Sequence, residues 1–287
     1  MKNKLALGTV QFGLGYGINN SLGKVPVEDV KKIIVQAIDA GVFVIDTAKA
    51  YGDSEDVLGN VGVQEFSVIT KIVSPNAGAT LKNEILFSLQ RLNIPALYGV
   101  LFHDFNYWQS APDSWKELEK IKQEGLTKKI GFSLYHPGQW CKIQDKGIIP
   151  DLLQIPMNLF NQQFQPYLLQ FKEAGIEVHV RSAFLQGLLL MGTESLPIQF
   201  IEIKPKIEAL KQLSEKWNVS RANICLLWLW QNKCVDYIVL GVDSTTQWQE
   251  NLNAAQWCEK NHNAIKIDAS AFRCENENII NPSKWKN

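Results

Sequence analysis

The chain predicts an α/β fold, a (β/α)₈ barrel, in which functional sites form at the C-terminal face of the strands. Eight apolar runs alternate with amphipathic stretches, and no Pro/Ser-rich linker interrupts them. A doubly wound sheet would carry a glycine fingerprint, but Gly13–Gly17 has the wrong spacing and no helix pattern begins there. The predicted strands are Leu5–Val10, Val42–Ile45, Phe66–Thr70, Leu97–Phe102, Lys129–Ser133, Leu152–Ile155, Glu177–Val180 and Tyr237–Leu240.

The intervening stretches are predicted helices because their apolar residues recur near i, i+3, i+4 and i+7. Several end at a glycine, which suits the left-handed backbone after a helix: Gly41, Gly125 and Gly175. The clearest helical patterns are VEDVKKIIVQAIDAG, LKNEILFSLQRL, DSWKELEKIKQEG, FQPYLLQFKEAG and RANICLLWLWQN.

Composition limits the domain count and the partners. With 287 residues, 46% of them hydrophobic, residues 1–287 are expected to form a single domain. Lys plus Arg and Asp plus Glu both number 29, so no overall field favours nucleic acid or an anionic membrane. No segment approaches the roughly 20 apolar residues that cross a bilayer. We therefore expect a cytoplasmic protein that binds neither nucleic acid nor a membrane.

The five cysteines are scattered without a C-x-x-C pair, and the four histidines do not cluster with them. Free thiols and no metal site are therefore expected.

Four polar residues follow or end apolar runs: Asp46, Tyr51, Lys71 and His103. Since parallel barrel strands end at one mouth, these side chains are expected around one pocket. A phenol has a pKa near 10, too high for efficient proton donation at neutral pH, but a neighbouring ammonium lowers it. The set therefore predicts a proton-donating site.

These residues lie in segments that together resemble the aldo-keto reductases over nearly the whole chain. The D-T-A-x-x-Y-G pattern, followed in order by lysine, histidine and a late E-N, is specific. The matching segments are LGTVQFG (Leu7–Gly13), FVIDTAKAYGDSEDVLG (Phe43–Gly59), TK (Thr70–Lys71), LFHD (Leu101–Asp104), IGFS (Ile130–Ser133), LLQIPMN (Leu152–Asn158), VRSAFLQGLL (Val180–Leu189) and LGVDSTTQWQENL (Leu240–Leu252).

The resemblance implies NAD(P)H-dependent reduction of an aldehyde or ketone, with Tyr51 as the general acid. It implies that Lys71 lowers the pKa of Tyr51, that Asp46 pairs with Lys71 and that His103 orients the carbonyl. NADP(H) is the expected cofactor, and NAD(H) stays open. The implied cofactor-binding positions are Gly8, Thr9, Ser133, Gln154, Arg181, Gly241, Val242, Asp243, Ser244, Gln247, Glu250 and Asn251.

Four positions depart from the common family pattern. Leu134 stands where many members carry asparagine, and Arg181 where many carry an aromatic residue that stacks on the nicotinamide. A planar guanidinium can stack too, so Arg181 can keep that role or bind a substrate anion instead. Gly241 and Gln247 replace the lysine and arginine of members that grip a 2′-phosphate, which weakens the NADPH preference.

The substrate is open because it depends on three loops, at residues 13–25, 103–113 and 184–190. Their aromatic residues and amide and hydroxyl donors favour a sugar-type carbonyl. Trp108 lies in the second loop, and we expect it to line the substrate site. The alternative function is a nucleotide-binding regulatory or redox-sensing protein with vestigial catalysis, resembling the reductase-like subunits of potassium channels. A barrel isomerase or lyase is a third reading, without a separate phosphate-gripping motif to favour it.

Overall fold

A computed structural model describes residues 3–18, 20–75 and 79–285. Its strands form a closed parallel barrel in chain order, with β8 returning to pair with β1, so the predicted (β/α)₈ barrel is confirmed. The strands are β1 (Leu5–Gly8), β2 (Val44–Asp46), β3 (Ser67–Ile72), β4 (Leu97–Phe102), β5 (Thr127–Ser133), β6 (Leu152–Pro156), β7 (Glu177–Arg181) and β8 (Tyr237–Gly241).

The first strand ends earlier than its apolar run. The predicted strand continued to Val10, but the Thr9 N–H donates to the Asp46 carbonyl oxygen at 3.0 Å and the chain turns into a short helix at Val10. The third strand extends beyond its predicted end at Thr70, so Lys71 lies within β3 rather than after it. Both strand ends are set by hydrogen bonds to neighbouring strands, which the spacing of apolar residues in the sequence does not predict.

The helices alternate with the strands and cover the outside of the barrel. They are α1 (Val10–Gly13), α2 (Val27–Asp39), α3 (Ser54–Val61), α4 (Leu81–Leu92), α5 (Phe105–Ser110), α6 (Ser114–Gln123), α7 (Pro137–Gln144), α8 (Leu168–Glu173), α9 (Lys204–Trp217), α10 (Arg221–Gln231), α11 (Thr245–Asn261) and α12 (Glu277–Ile280). The 3₁₀ turns are Gln165–Tyr167, Leu188–Leu190, Ile198–Ile203, Ser270–Phe272 and Pro282–Lys284. The predicted glycine caps have positive φ: Gly41 (68°), Gly125 (80°) and Gly175 (73°).

Two layers of apolar side chains hold the barrel. One fills the space between strands and helices; the other is a smaller cluster with members on β1, β2, β3, β4, β6 and β8: Ala6, Val44, Ile69, Leu101, Leu152, Tyr237 and Val239. Burying so much apolar surface is the main stabilising contribution to a fold of this size. In the described ranges, no helix combines the length and the apolar character that crossing a membrane requires.

Glu177, at the start of β7, joins three elements through its carboxylate. It accepts hydrogen bonds from Tyr98 Oη at 2.9 Å and Lys129 Nζ at 2.7 Å, and lies 2.8 Å from His179 Nε2. Burial raises the pKa of this carboxyl, but the bonds to His179 and Lys129 outweigh it and lower the pKa to about 2. The carboxylate is therefore charged at neutral pH and ties β4 and β5 to β7.

Candidate active site

A cavity of about 1270 Å³ opens at the carboxyl ends of the strands, where a barrel of this type carries its site. Twelve of the predicted residues line it: Thr9, Asp46, Tyr51, His103, Ser133, Gln154, Arg181, Gly241, Asp243, Gln247, Glu250 and Asn251. Four others stand behind that lining: Gly8, Lys71, Val242 and Ser244. Asn19, in the first of the three substrate loops, lies outside the described residues.

Lys71 lies at the centre of the predicted polar set. Its ammonium donates to Asp46 Oδ1 at 2.6 Å, to the Thr47 carbonyl oxygen at 2.9 Å and to Tyr51 Oη at 3.3 Å. Its side chain is only 1% exposed and that of Asp46 only 4%. All three ammonium hydrogens therefore have acceptors, which is how a buried lysine can stay charged.

The Tyr51 hydroxyl has a higher pKa than the sequence led us to expect. Burial raises the pKa of Tyr51, and the nearby charge of Lys71 lowers it without cancelling the effect of burial. For Lys71, burial lowers the pKa, but the charge of Asp46 and the hydrogen bonds to Asp46 and Tyr51 together outweigh it, and the net direction is upward. A neutral phenol next to a charged ammonium is the resulting state at neutral pH.

His103 follows β4 and stands edge-on to Tyr51. Their ring centroids are 5.8 Å apart, and the two planes meet at 86°. Burial, together with the charges of Lys71 and Arg181, lowers the pKa of His103 to about 3. The imidazole is therefore neutral at physiological pH, and its Nδ1 atom is buried without a hydrogen-bond partner in the described structure.

An amide chain connects the predicted nicotinamide positions to this ion pair. Gln154 Nε2 donates to Asp46 Oδ2 at 2.7 Å, and Ser133 Oγ donates to Gln154 Oε1 at 3.5 Å. Sequence reasoning found each of these residues but missed the link, because Asp46 and Gln154 are 108 positions apart. Gln154 thus fixes the carboxylate that holds Lys71.

Two glycines face each other across the β1–β8 seam. Gly8 pairs with Gly241, and a Cβ atom on Gly8 would lie 3.1 Å from the Gly241 nitrogen. A Cβ atom on Gly241 would lie 2.7 Å from Gln11 Oε1. Gln11 lines the cavity, and this buried oxygen has no partner in the described structure. Sequence reasoning missed Gln11, although it stands within the LGTVQFG segment.

The other end of the cavity is bordered by the N-terminal turns of α11. The helix begins at Thr245, and the Ser244 side chain caps it by accepting the Gln247 N–H at 3.2 Å. The Gln247 side-chain oxygen accepts the Asp243 N–H at 3.0 Å. Gln247 therefore shapes the turn before the helix, and its position beside a helix N-terminus suits an anionic ligand.

These features fit an extended dinucleotide. The glycine seam leaves room for close approach to the backbone, Gln11 offers an unused acceptor, and the start of α11 favours phosphate charge. Among the residues that the structure describes, no group of three or more His, Cys, Asp and Glu side chains converges in a way that could hold a metal ion.

Arg181 and Leu134, the two departures near the predicted nicotinamide position, contact each other. Arg181 Nη2 donates to the Leu134 carbonyl oxygen at 3.0 Å, and its guanidinium lies 4.4 Å from the centre of the Tyr135 ring. The Leu134 side chain is fully buried. The position after Ser133 therefore contributes backbone, not a side-chain amide, to this part of the site.

Trp108 corrects a prediction, because it does not line the cavity. It lies on α5, is 2% exposed, and packs with ring-centroid distances of 5.2 Å to Phe105 and 5.1 Å to Phe132. The residues after His103 form a helical turn that rotates the indole into the core. A loop reading of HDFNYWQS could not show that rotation.

The segment after β7 is held over the cleft by contacts that no motif predicted. Gln186 Nε2 donates to Tyr16 Oη at 2.8 Å, which joins this segment to the one after β1. Ser182, Leu185 and Gln186 all have positive φ, at 62°, 50° and 54°, which is strained for residues other than glycine. Arg221, on α10, donates to the carbonyl oxygens of Leu190 and Met191 and so fixes the backbone at the end of this segment.

The match to a family model shows that the chain is an oxidoreductase. The family model for the Aldo/keto reductase family matches residues 4–268. The chain therefore belongs to the aldo/keto reductase family, whose members are generally NAD(P)H-dependent. The predicted resemblance is confirmed over nearly the whole chain.

Individual relatives agree with this assignment. Glyoxal reductase from Bacillus subtilis (strain 168) is 29% identical over 232 residues, which are 76% of this chain and 73% of the relative. NAD(P)H-dependent 6'-deoxychalcone synthase from Glycine max is 27% identical over 268 residues, covering 83% and 81%. A solved aldo-keto reductase from Bacillus halodurans, in a holo form, has a TM-score of 0.71 at 17% identity, with 92% and 94% of the chains covered. The last similarity shows the shared fold.

Proposed function

We propose that the protein reduces an aldehyde or ketone to the alcohol, with Tyr51 as the general acid. The observation that carries the proposal is the 3.3 Å contact between Lys71 Nζ and Tyr51 Oη, at a cavity that Tyr51 and His103 both line. In this reaction NAD(P)H supplies the hydride that reaches the carbonyl carbon. The oxygen then needs a proton, and the neutral Tyr51 hydroxyl is the group that can donate it.

Lys71 stabilises the phenolate that Tyr51 becomes. Its pKa is raised, so it stays an ammonium while Tyr51 loses its proton. Asp46 holds that ammonium in place, and Gln154 holds Asp46. The phenolate of Tyr51 therefore forms beside a positive charge that is already fixed in place, which is electrostatic preorganisation.

His103 orients the carbonyl as a neutral hydrogen-bond donor. Its pKa of about 3 excludes an imidazolium at working pH. Since Nδ1 is buried and without a partner in the described structure, we assign the proton to Nε2, which would then meet the carbonyl oxygen.

For the cofactor we propose NADPH, held along the cleft that runs from Tyr51 and His103 to the start of α11. Ser133 and Gln154 would meet the carboxamide, the glycine seam and the start of α11 the pyrophosphate, and Glu250 with Asn251 the adenosine. Gln247 is committed to the Asp243 N–H, so Arg221 is the cation on the described lining that we expect near a 2′-phosphate. Arg221 already donates to backbone oxygens, which leaves fewer of its N–H groups for a 2′-phosphate. A preference for NADH is therefore the alternative that the experiment must test.

The substrate is proposed to be a small polar carbonyl, with sugar-type compounds as candidates. Polar side chains on the cavity lining that includes Tyr51, among them Tyr16, Asn20 and Gln186, are suited to hydroxyl groups. The relative named for glyoxal reduction is consistent with a small carbonyl.

The direct experiment is a titration with NADPH and with NADH that follows nicotinamide fluorescence, and then turnover of an aldehyde and ketone panel. We expect NADPH to bind more tightly and small polar carbonyls to be reduced. Binding of neither nucleotide would overturn the proposal. Tight binding without turnover of any carbonyl would favour the regulatory alternative.

A further inference from the structure

Arg181 lines the cavity and keeps hydrogen-bond donors that no described residue uses. Of the five N–H groups of an arginine, one donates to the Leu134 carbonyl oxygen at 3.0 Å and one to Ser182 Oγ at 3.4 Å. The other three have no partner among residues 3–18, 20–75 and 79–285. Stacking on Tyr135 holds the plane of the guanidinium, so these donors have a fixed direction.

The positive charge of Arg181 is also uncompensated. No carboxylate in the described part of the chain forms an ion pair with it, whereas Lys71 is paired with Asp46. Tyr51 and His103 are neutral at physiological pH, because burial raises the pKa of the first and lowers that of the second. The end of the cavity that Tyr51 and His103 line therefore has one net positive charge. It is the charge of Arg181, which lies within electrostatic reach of Tyr51.

We propose that Arg181 binds an anionic group of the substrate, so that the preferred substrate is an aldehyde or ketone carrying a carboxylate or a phosphate. A fixed planar fork with free donors matches both of these groups. This inference rests on the proposed carbonyl reduction and adds the substrate class. It also assigns Arg181 a role in specificity in addition to any contact with the nicotinamide.

Matched substrates isolate the charge. 4-Oxobutanoate and its methyl ester differ by one negative charge, and glyceraldehyde 3-phosphate and glyceraldehyde form the phosphate arm. We expect kcat/KM to favour at least one anion by about 10-fold or more over its neutral partner. Arg181→Gln should bring that ratio close to one, and Arg181→Lys should keep part of it. Arg273→Gln, at an exposed arginine paired with Glu275, is the control and should keep the wild-type ratio.

A ratio separates the substrate role from a cofactor role, because weaker nucleotide binding lowers both members of a pair equally. A wild-type ratio near one for both pairs, or a ratio unchanged in Arg181→Gln, overturns the inference while turnover of the neutral partners leaves the proposed function intact. If no carbonyl is turned over, calorimetric binding of 4-hydroxybutanoate decides. Binding weakened at least about 10-fold in Arg181→Gln supports the anion site, and equal binding overturns it.

Discussion

The Lys71 ammonium lies 3.3 Å from the Tyr51 hydroxyl and 2.6 Å from the Asp46 carboxylate, with all three groups deep in the barrel mouth. The buried Lys71 ammonium thus contacts both a carboxylate and a phenol. It is ion-paired with Asp46, and in the proposed reaction it would stabilise Tyr51 when that phenol loses its proton.

Replacing Lys71 by methionine should lower carbonyl reduction by about 10²-fold, because the phenolate would form beside an uncompensated Asp46. The unpaired buried carboxylate should also destabilise the fold by about 3 kcal/mol. The double variant Asp46→Asn/Lys71→Met separates the effects, since it should regain stability but not activity. Recovery of reduction in the double variant would show that Lys71 acts only as a counter-ion.

His103 should remain neutral throughout the physiological range. Its pKa is lowered to about 3, so the sign is plain: the ring is uncharged above that value and gains its proton only below it. The carbon-bound ring protons of His103, followed by NMR, should therefore show no titration between about pH 5 and 8, where an ordinary histidine titrates. A midpoint near the ordinary value would contradict the buried, neutral donor.

Gly241 should tolerate a side chain poorly because Gln11 occupies the adjacent space. In Gly241→Ala the new Cβ would stand 2.7 Å from Gln11 Oε1, so the amide must move away from the cavity position it now holds. We expect NADPH to bind about 3- to 10-fold more weakly by fluorescence titration. In a Gln11→Ala background the same glycine change should cost less than about 2-fold. An equal loss in both backgrounds would assign the effect to Gly241 alone.

Glu177 should contribute pH-dependent stability. Its folded pKa of about 2 lies below its ordinary 4.5, so the contribution is complete above 4.5 and is lost as pH falls from there towards 2. Glu177→Gln should lower the free energy of unfolding at neutral pH by about 3 kcal/mol, measured by urea denaturation. The difference from wild type should shrink in acid. The exposed Glu65→Gln is the control, and a difference that does not change with pH would contradict the charge argument.

Much of the site could be predicted because a parallel barrel fixes where strand ends meet. Asp46 ends β2, Lys71 stands one residue before the end of β3, and His103 directly follows β4. Topology alone brings such positions to one mouth. The alternation of eight strands with helices could also be predicted. Burial of one face of each element makes apolar residues recur along that element with the period of a strand or a helix.

The remainder depended on contacts that sequence order does not encode. Gln154 reaches Asp46 across the barrel, and Gln11 fills the space above Gly241 only because β1 and β8 pair in that register. The indole of Trp108 turned inward because α5 begins at Phe105. The pKa of Tyr51 is raised rather than lowered, because the effect of burial outweighs that of the nearby Lys71 charge.

The most direct test of the account is the Tyr51→Phe variant, which removes one oxygen atom and leaves the ring that packs beside His103. NADPH binding, followed by nicotinamide fluorescence, should stay within about 3-fold of wild type, while kcat for carbonyl reduction should fall by at least about 10²-fold. Reduction at the parental rate in this variant would show that Tyr51 is not the proton donor and would contradict the central claim.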